Sequence, residues 1–206
     1  MPSFTDPVVP RGRLRGLVQP TITVDELVLR PWQASDAPAV VDAYRDPDIQ
    51  RWHVRSMTEA EALAWVLSWA DHWAAETGAG WAVEVDGMLA GRMNVGALDL
   101  AEGHGAAAYW VVPAARGRRV APRALAAVTE WLFAEIGLHR ITLEHSTHNT
   151  ASCLVAARAG YTAEGTNGSA GLHVDGWHDM HLHARINERP GHGPHYARDH
   201  GCQPCR

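Results

Sequence analysis

The densest anion-binding chemistry in the sequence lies in Tyr109-Trp110-Val111-Val112-Pro113-Ala114-Ala115-Arg116-Gly117-Arg118-Arg119-Val120-Ala121. An apolar run stops at a proline, a short loop supplies three arginines and a glycine, and a helical pattern begins behind it. The first amides of such a helix lack intrahelical acceptors and sit at the positive end of its dipole. With the arginines they make a cradle for a pyrophosphate, because fixed amides bind an anion without reorganising. The same residues also read as an ordinary solvated basic loop, and this segment alone does not choose between the two. A second polar segment runs from Glu144 and His145 to Asn149, Thr150 and Ser152. Asn149 or Thr150 is a fitting helix cap, which leaves Ser152 either on the surface or as a functional hydroxyl. Near the C-terminus, His192, His195, His200, Cys202 and Cys205 place a Cys-x-x-Cys among histidines. Scattered among glycines and prolines, they are weak grounds for zinc, and the sequence predicts no metal site.

The elements that must position these residues follow from periodicity. Residues 1–21, with four prolines and no apolar period, read as a flexible leader. Leu27 to Arg30 reads as a strand stopped by Pro31, and a helix from Asp36 to Tyr44 is ended by Asp46 and Pro47. Thr58 and Glu61 have the spacing of a capping box for a helix reaching Glu76. Its Trp65, Trp69 and Trp73 recur every fourth residue and form a packing stripe. Strands from Trp81 to Val85 and Met88 to Val95 meet at Asp86-Gly87, a dipeptide suited to a tight hairpin turn. A strand from Ala106 to Val112, a helix from Pro122 to Ile136, a strand from Ile141 to His145 and a helix from Thr150 to Arg158 follow. Strands from Tyr161 to Gly165 and His178 to Ile186 complete a mixed α/β domain over residues 22–186, with residues 187–206 a disordered tail.

The basic loop, the segment from Ile141 to Ser152 with Ala159-Gly160-Tyr161 and Glu164-Gly165 behind it, and the run Asp175-Gly176-Trp177-His178-Asp179-Met180 stand in order along the chain. Together they resemble the GNAT acetyltransferases over residues 24–186, and the last run resembles the branch that acetylates ribosomal-protein N-termini. The resemblance implies a twisted mixed sheet with about four helices and two splayed central parallel strands, ending near Val112 and His145. The arm of acetyl-CoA enters the splay, and amides of Val111 and Val112 bond it like a missing strand. The pyrophosphate lies over residues 116–121: Arg116, Gly117, Arg118, Arg119, Val120 and Ala121. The family pattern falls on Arg116, Arg119 and Ala121, with Arg119 replacing a glycine; an arginine in helical conformation still offers its amide there. The resemblance also assigns Asn149 to the CoA arm and Ser152 to the departing thiolate.

The general base stays open. Some relatives carry a glutamate where this chain has Gly171, and the remaining candidates are Glu144 and His145, with His173 and Asp175 behind them. Glu144 and His145 alternate, so at most one faces the substrate. His178 and Asp179 read equally as structural groups at a sheet edge. Tyr161 reads as core, and Val155 and Ala156 occupy the stretch where other branches place a tyrosine acid.

With 206 residues, 46% of them hydrophobic, the chain supports a single unstapled core. A net charge of -5 and the lack of a long apolar run predict no nucleic-acid and no membrane partner. Three unevenly spaced cysteines fit a reducing cytoplasm. The expected partners are acetyl-CoA and a primary amine attacked directly in a ternary complex, with the chain a monomer or homodimer. The alternative is a non-catalytic CoA-binding or protein-interaction module.

Overall fold

The computed structural model describes residues 5–188. Its strands are β1 (Ile22–Val24), β2 (Leu27–Pro31), β3 (Ala79–Val85), β4 (Met88–Asp99), β5 (His104–Val111), β6 (Arg140–Ser146), β7 (Thr162–His173) and β8 (Gly176–Ile186). They form one sheet in the order β1-β2-β3-β4-β5-β6-β8-β7. All neighbours are antiparallel except β5 and β6, whose parallel pairing runs from His104↔Arg140 to Ala107↔Leu143. The β3–β4 turn is made by Asp86 and Gly87, both at positive φ (53° and 74°), as the Asp-Gly dipeptide requires.

Among the described residues the α-helices number five: α1 (Ala37–Ala43), α2 (Pro47–His53), α3 (Glu59–Ala74), α4 (Val120–Trp131) and α5 (Thr150–Arg158). The sequence reading of about four misses α2, because it takes Asp46-Pro47 as a stop. Asp46 is instead an N-cap whose carboxylate accepts the Ile49 amide at 3.0 Å, and Pro47 sits at the first helical position, where a missing N–H costs nothing. α3 carries the expected capping box between Thr58 and Glu61. α4 runs on through a π-helical turn, Leu132–Ile136, and Gly137 at φ 87° ends it.

Strand alternation sends neighbouring residues of β5 to opposite faces of the sheet. Tyr109 and Val111 pack against the larger core under α4, whereas Trp110 joins Val40, Tyr44, Ile49 and Val66 of α1–α3. The tryptophans mostly fill these layers: Trp73, Trp81 and Trp131 meet edge or tilted at 6.0–6.5 Å, and Trp65 contacts Trp32 and Trp69. No described helix is long and apolar enough to cross a membrane.

The flexible leader is corrected by the structure from residue 5 onward. Val9 and Leu14 are fully buried in the larger core, and the Val8 and Val9 amides bond Ala101 and Leu100 carbonyls at 3.0 and 2.9 Å. The Glu76 carboxylate accepts the Gly12 and Leu14 amides at 2.7 and 2.9 Å. Two apolar anchors set among prolines and arginines leave no period to read, yet they suffice to dock the segment. At the other end Asn187 is buried and donates to Phe133 and Leu138 carbonyls, so the domain includes it. The Cys202/Cys205 pair and its histidines lie outside the described residues.

Because a side chain as enclosed as Leu14 leaves a cavity when truncated, Leu14→Ala should cost about 2–5 kcal/mol in urea unfolding, whereas truncating a flexible leader costs nothing.

Candidate active site

The parallel ladder between β5 and β6 stops at Ala107 and Leu143, and beyond it the two strands part. β5 stays bonded to β4 as far as Val111↔Gly91, and the Val112 amide donates to the Ala90 carbonyl at 2.9 Å. Backbone groups alternate along a strand, so the Val111 N–H and the Tyr109 and Val111 carbonyls face the opening instead. Of the two amides expected to meet a ligand arm, Val111 is therefore suitably directed and Val112 is not. His53 of α2 reaches the exposed Tyr109 carbonyl at 3.1 Å; a carbonyl only accepts, so Nε2 carries the proton. Burial, with the charge of Arg92, holds the His53 pKa at about 3, which keeps this imidazole neutral.

A cavity of about 820 Å³ occupies the opening. It is lined by Arg116, Gly117, Arg119, Val120 and Ala121 of the loop and α4, by Tyr109 and Val111 of β5 with Asn149 and Ser152 at the start of α5, and by Trp52, Glu144, Gly171 and His173. Most of the residues singled out from the sequence are thus brought together. Val112 and Arg118 do not line the cavity.

The arginines behave differently from the expectation. Arg116 is held by Asp46 and Asp48 at 2.6 and 2.7 Å, and its Nε lies 3.4 Å from the Val111 carbonyl. Arg118 pairs with Asp86 at 3.2 Å, and Arg123 with Asp25 and Glu26 at 3.2 and 2.8 Å. Carboxylates already occupy these guanidiniums, so Arg116 and Arg118 serve the loop as clamps. Among the described residues no carboxylate pairs with Arg119, which is exposed at the cavity rim. Its backbone also departs from the helical conformation expected: Arg119 is the N-cap of α4 at φ 57°, ψ 30°. That left-handed state explains why a glycine suits the position, since a Cβ there costs about 1–2 kcal/mol. Gly117 stands at φ 80°, and a Cβ added to it would have no neighbour within 4 Å, so the loop surface is open there. The amides of Val120 and Ala121 follow in the first turn of α4, without intrahelical acceptors.

At the centre, the Asn149 side chain caps α5 by accepting the Ser152 amide at 3.1 Å, which leaves its NH₂ for other partners. Ser152 is buried, not a surface residue, and its Oγ lies 2.7 Å from the Tyr109 hydroxyl. Sequence reasoning misses Tyr109, because only the β5–β6 splay turns a strand residue toward the start of α5. Burial pushes the Tyr109 phenol up to about 12, so it stays protonated near neutral pH.

The two base candidates separate as alternation demands. Glu144 is exposed at the cavity, whereas His145 is buried, with Nδ1 donating to the Ser146 carbonyl at 2.8 Å. Burial lowers the His145 pKa, and its ring packs against His181 and His183, away from the Glu144 face. His173 stacks on His178 at 4.2 Å. His178 bridges the Ser146 hydroxyl and Asp175 at 2.8 and 2.9 Å and so ties the β7–β8 hairpin to the end of β6, while Asp179 accepts the Ser169 amide within the hairpin. Tyr161 is core, its hydroxyl 2.7 Å from Thr129. At Gly171 a Cβ would meet the Met180 sulfur at 2.5 Å, so a larger residue there must displace that side chain.

A family model described as an acetyltransferase (GNAT) domain matches residues 26–162. The chain belongs to the GNAT acetyltransferase family. The activity class of this acetyltransferase is acetyl-CoA-dependent transfer to an amine nitrogen. A search of curated proteins found no match in sequence. Solved structures with the same fold include RimL, a ribosomal L7/L12 alpha-N-protein acetyltransferase in complex with coenzyme A, at TM-score 0.76 and 20% identity, covering 81% of this chain and 98% of that one. Mycobacterium smegmatis RimJ in complex with CoA-disulfide aligns at TM-score 0.72 and 24% identity, covering 79% and 82%. The ribosomal-protein-S5-alanine acetyltransferase from Vibrio fischeri aligns at 0.75 and 18%, covering 82% and 97%.

For this acetyltransferase, Arg119→Gly removes left-handed strain, partly offset by the greater freedom of glycine in the unfolded chain. The melting temperature should rise by roughly 1–3 °C in calorimetry. CoA affinity should stay unchanged or tighten; a large loss would make the Arg119 side chain itself a phosphate ligand.

Proposed function

We propose that this acetyltransferase modifies the α-amine of a peptide or protein N-terminus by direct attack on acetyl-CoA. The observation that carries the proposal is the hydroxyl pair of Tyr109 and Ser152, 2.7 Å apart between β5 and α5 in the wall of the cavity. In this reading the arm of acetyl-CoA lies along the open edge of β5, where the Val111 amide stands in for a ladder donor. Its phosphates rest on the amides from Gly117 to Ala121 and on Arg119. The thioester sulfur then lies near Ser152. Tyr109, a neutral phenol, donates to Ser152 Oγ and leaves the serine proton directed at the sulfur, which stabilises negative charge as the carbon–sulfur bond breaks.

The acceptor enters from the far end, between α2 and the β7–β8 hairpin, past Trp52, Leu172 and His173. An open groove of this kind suits an extended chain end, and the names of the RimL and Vibrio fischeri relatives give ribosomal proteins as their acceptors. In this reading Glu144, exposed at the cavity, takes the ammonium proton directly or through water. His145 is turned to the other face and is set aside as the base. Among the described residues no cysteine lines the cavity, which supports direct attack over an acyl-enzyme. We assign the reaction to the cytoplasm, and the chain acts as a monomer or homodimer.

Thiol release from acetyl-CoA, measured with peptides of varied N-terminal residue against a panel of small amines, tests the acceptor. Peptides should give the higher kcat/KM. A preference for small amines would overturn the peptide assignment. CoA binding without thiol release from any amine would instead favour the non-catalytic module, the reading to which the ion-paired Arg116 lends itself.

Ser152→Ala should lower kcat by roughly ten-fold to a few hundred-fold with the KM for acetyl-CoA nearly unchanged, since the contact strengthens only as charge builds on sulfur. Tyr109→Phe should lower kcat by about ten-fold in the same pattern, and little further in the double variant, because the two hydroxyls act as one unit.

A further inference from the structure

We propose that His145, Cys153, His181 and His183 form a binding site for a tetrahedral transition-metal ion, zinc being the first candidate, beneath α5 and behind the acyl-transfer cleft. The site follows from strand register. Leu143 pairs with His183 and His145 with His181, and directly opposed residues share a face, so all three imidazoles project from the same side of β6 and β8. α5 crosses that side and lowers Cys153 onto it. Its Sγ lies 3.3 Å from His181 Nδ1 and 4.0 Å from His183 Nε2. One ligand atom from each of the four residues lies within 4.8 Å of all the others.

These distances are near what a metal requires. Zinc–nitrogen bonds of about 2.0–2.1 Å and a zinc–sulfur bond of about 2.3 Å set tetrahedral N···N and S···N edges near 3.3 and 3.6 Å. Side-chain rotations of roughly 1 Å close the set. The donors are one thiolate and three imidazoles, a combination that favours zinc and its neighbours in the first transition row over magnesium or calcium.

His145 is prepared for the task. Its Nδ1 donates to the Ser146 carbonyl, which fixes the tautomer and leaves a lone pair on Nε2. That Nε2 is buried, on a residue only 5% exposed, and has no hydrogen-bond partner among the described residues. His183, equally buried, has its Nδ1 without a partner there and its Nε2 4.0 Å from the Cys153 sulfur. The thiol's contacts with His181 and, at greater length, with His183 leave the His145 Nε2 lone pair unaccounted for. On metal binding Cys153 enters as the thiolate, its proton passing to solvent. Four protein ligands close the coordination sphere, so the ion is structural: it ties α5 to β6 and β8 and thereby holds Ser152, the residue beside Cys153.

The test uses the full chain, kept reduced, stripped by a chelator and titrated with cobalt(II) as the optical probe. Because the sequence also holds Cys202 and Cys205, the measurement is repeated in the Cys202→Ser/Cys205→Ser double variant. The proposal expects one cobalt per chain in both, with tetrahedral ligand-field bands and a thiolate-to-cobalt charge-transfer band, displaced by zinc. It also expects zinc to raise the melting temperature of the double variant. Adding Cys153→Ser to that variant should abolish the charge-transfer band and weaken zinc binding on the order of 100-fold, and His183→Gln should weaken it comparably. Circular dichroism of the metal-free variants separates lost ligation from lost folding, and Cys153→Ala serves where the serine variant does not fold. Folded chain that binds no cobalt, or bands that survive Cys153 substitution and vanish with Cys202 and Cys205, would overturn the site.

Discussion

The structure depends on one interrupted ladder. β5 and β6 pair in parallel for four residues and then part, while β5 continues to pair with β4 for its whole remaining length. A strand held on one edge cannot follow its departing neighbour, so the gap is fixed by β4 and not by anything that enters it. Gly91 permits that hold: a Cβ at this position would meet the Trp110 carbonyl oxygen at 2.5 Å and push the two strands apart. The exposed backbone groups of β5 must still be satisfied. His53 and Arg116 cover the two carbonyls from outside, which leaves the Val111 amide as the donor directed into the opening.

Charge pairing around the arginine loop serves geometry more than attraction. Asp46 and Asp48 come from α2, Asp86 from the β3–β4 turn, and Asp25 and Glu26 from the β1–β2 turn; each takes an arginine from the loop or from the first turns of α4. Exposed pairs contribute at most about 1 kcal/mol each to stability. Their consequence is that three separate turns fix one loop while cancelling most of its side-chain charge. In the proposed reading, anion binding then falls to the backbone amides, the α4 dipole and Arg119.

How much of this was legible in the sequence depended on the range of the interaction. Features written in a few consecutive residues were readable: the Thr58/Glu61 cap, the Asp86-Gly87 turn, the Thr150–Arg158 helix and the ordered motifs of the family. The fold class followed from them. Signals that two structures share were misread. Asp-Pro ends helices and also begins them, and here it began α2. The leader hid two buried anchors, Val9 and Leu14, whose meaning lies only in the surface they meet. The roles drawn from the arginine loop changed for the same reason, since the acids that neutralise it are 30 to 100 residues away. Tyr109 and Ser152, 43 residues apart, could be joined only once β5 and β6 were known to separate.

The end of β6 shows how one strand serves two environments. Glu144 and His145 are adjacent and both border the cavity, yet alternation leaves the carboxylate exposed and buries the imidazole on the face packed under α5. α5 divides its own residues in the same way. A step of one residue turns a helix by about 100°, so Ser152 meets Tyr109 in the cleft while Cys153 turns toward His181 and His183. The cleft face and the histidine face therefore share a backbone at both β6 and the first turn of α5. Any displacement of α5 over the histidines moves the Ser152 hydroxyl with it, and a shift of about 1 Å would be enough to break a 2.7 Å hydrogen bond to Tyr109. Packing on one side of this helix thus sets the geometry of the hydroxyl pair on the other.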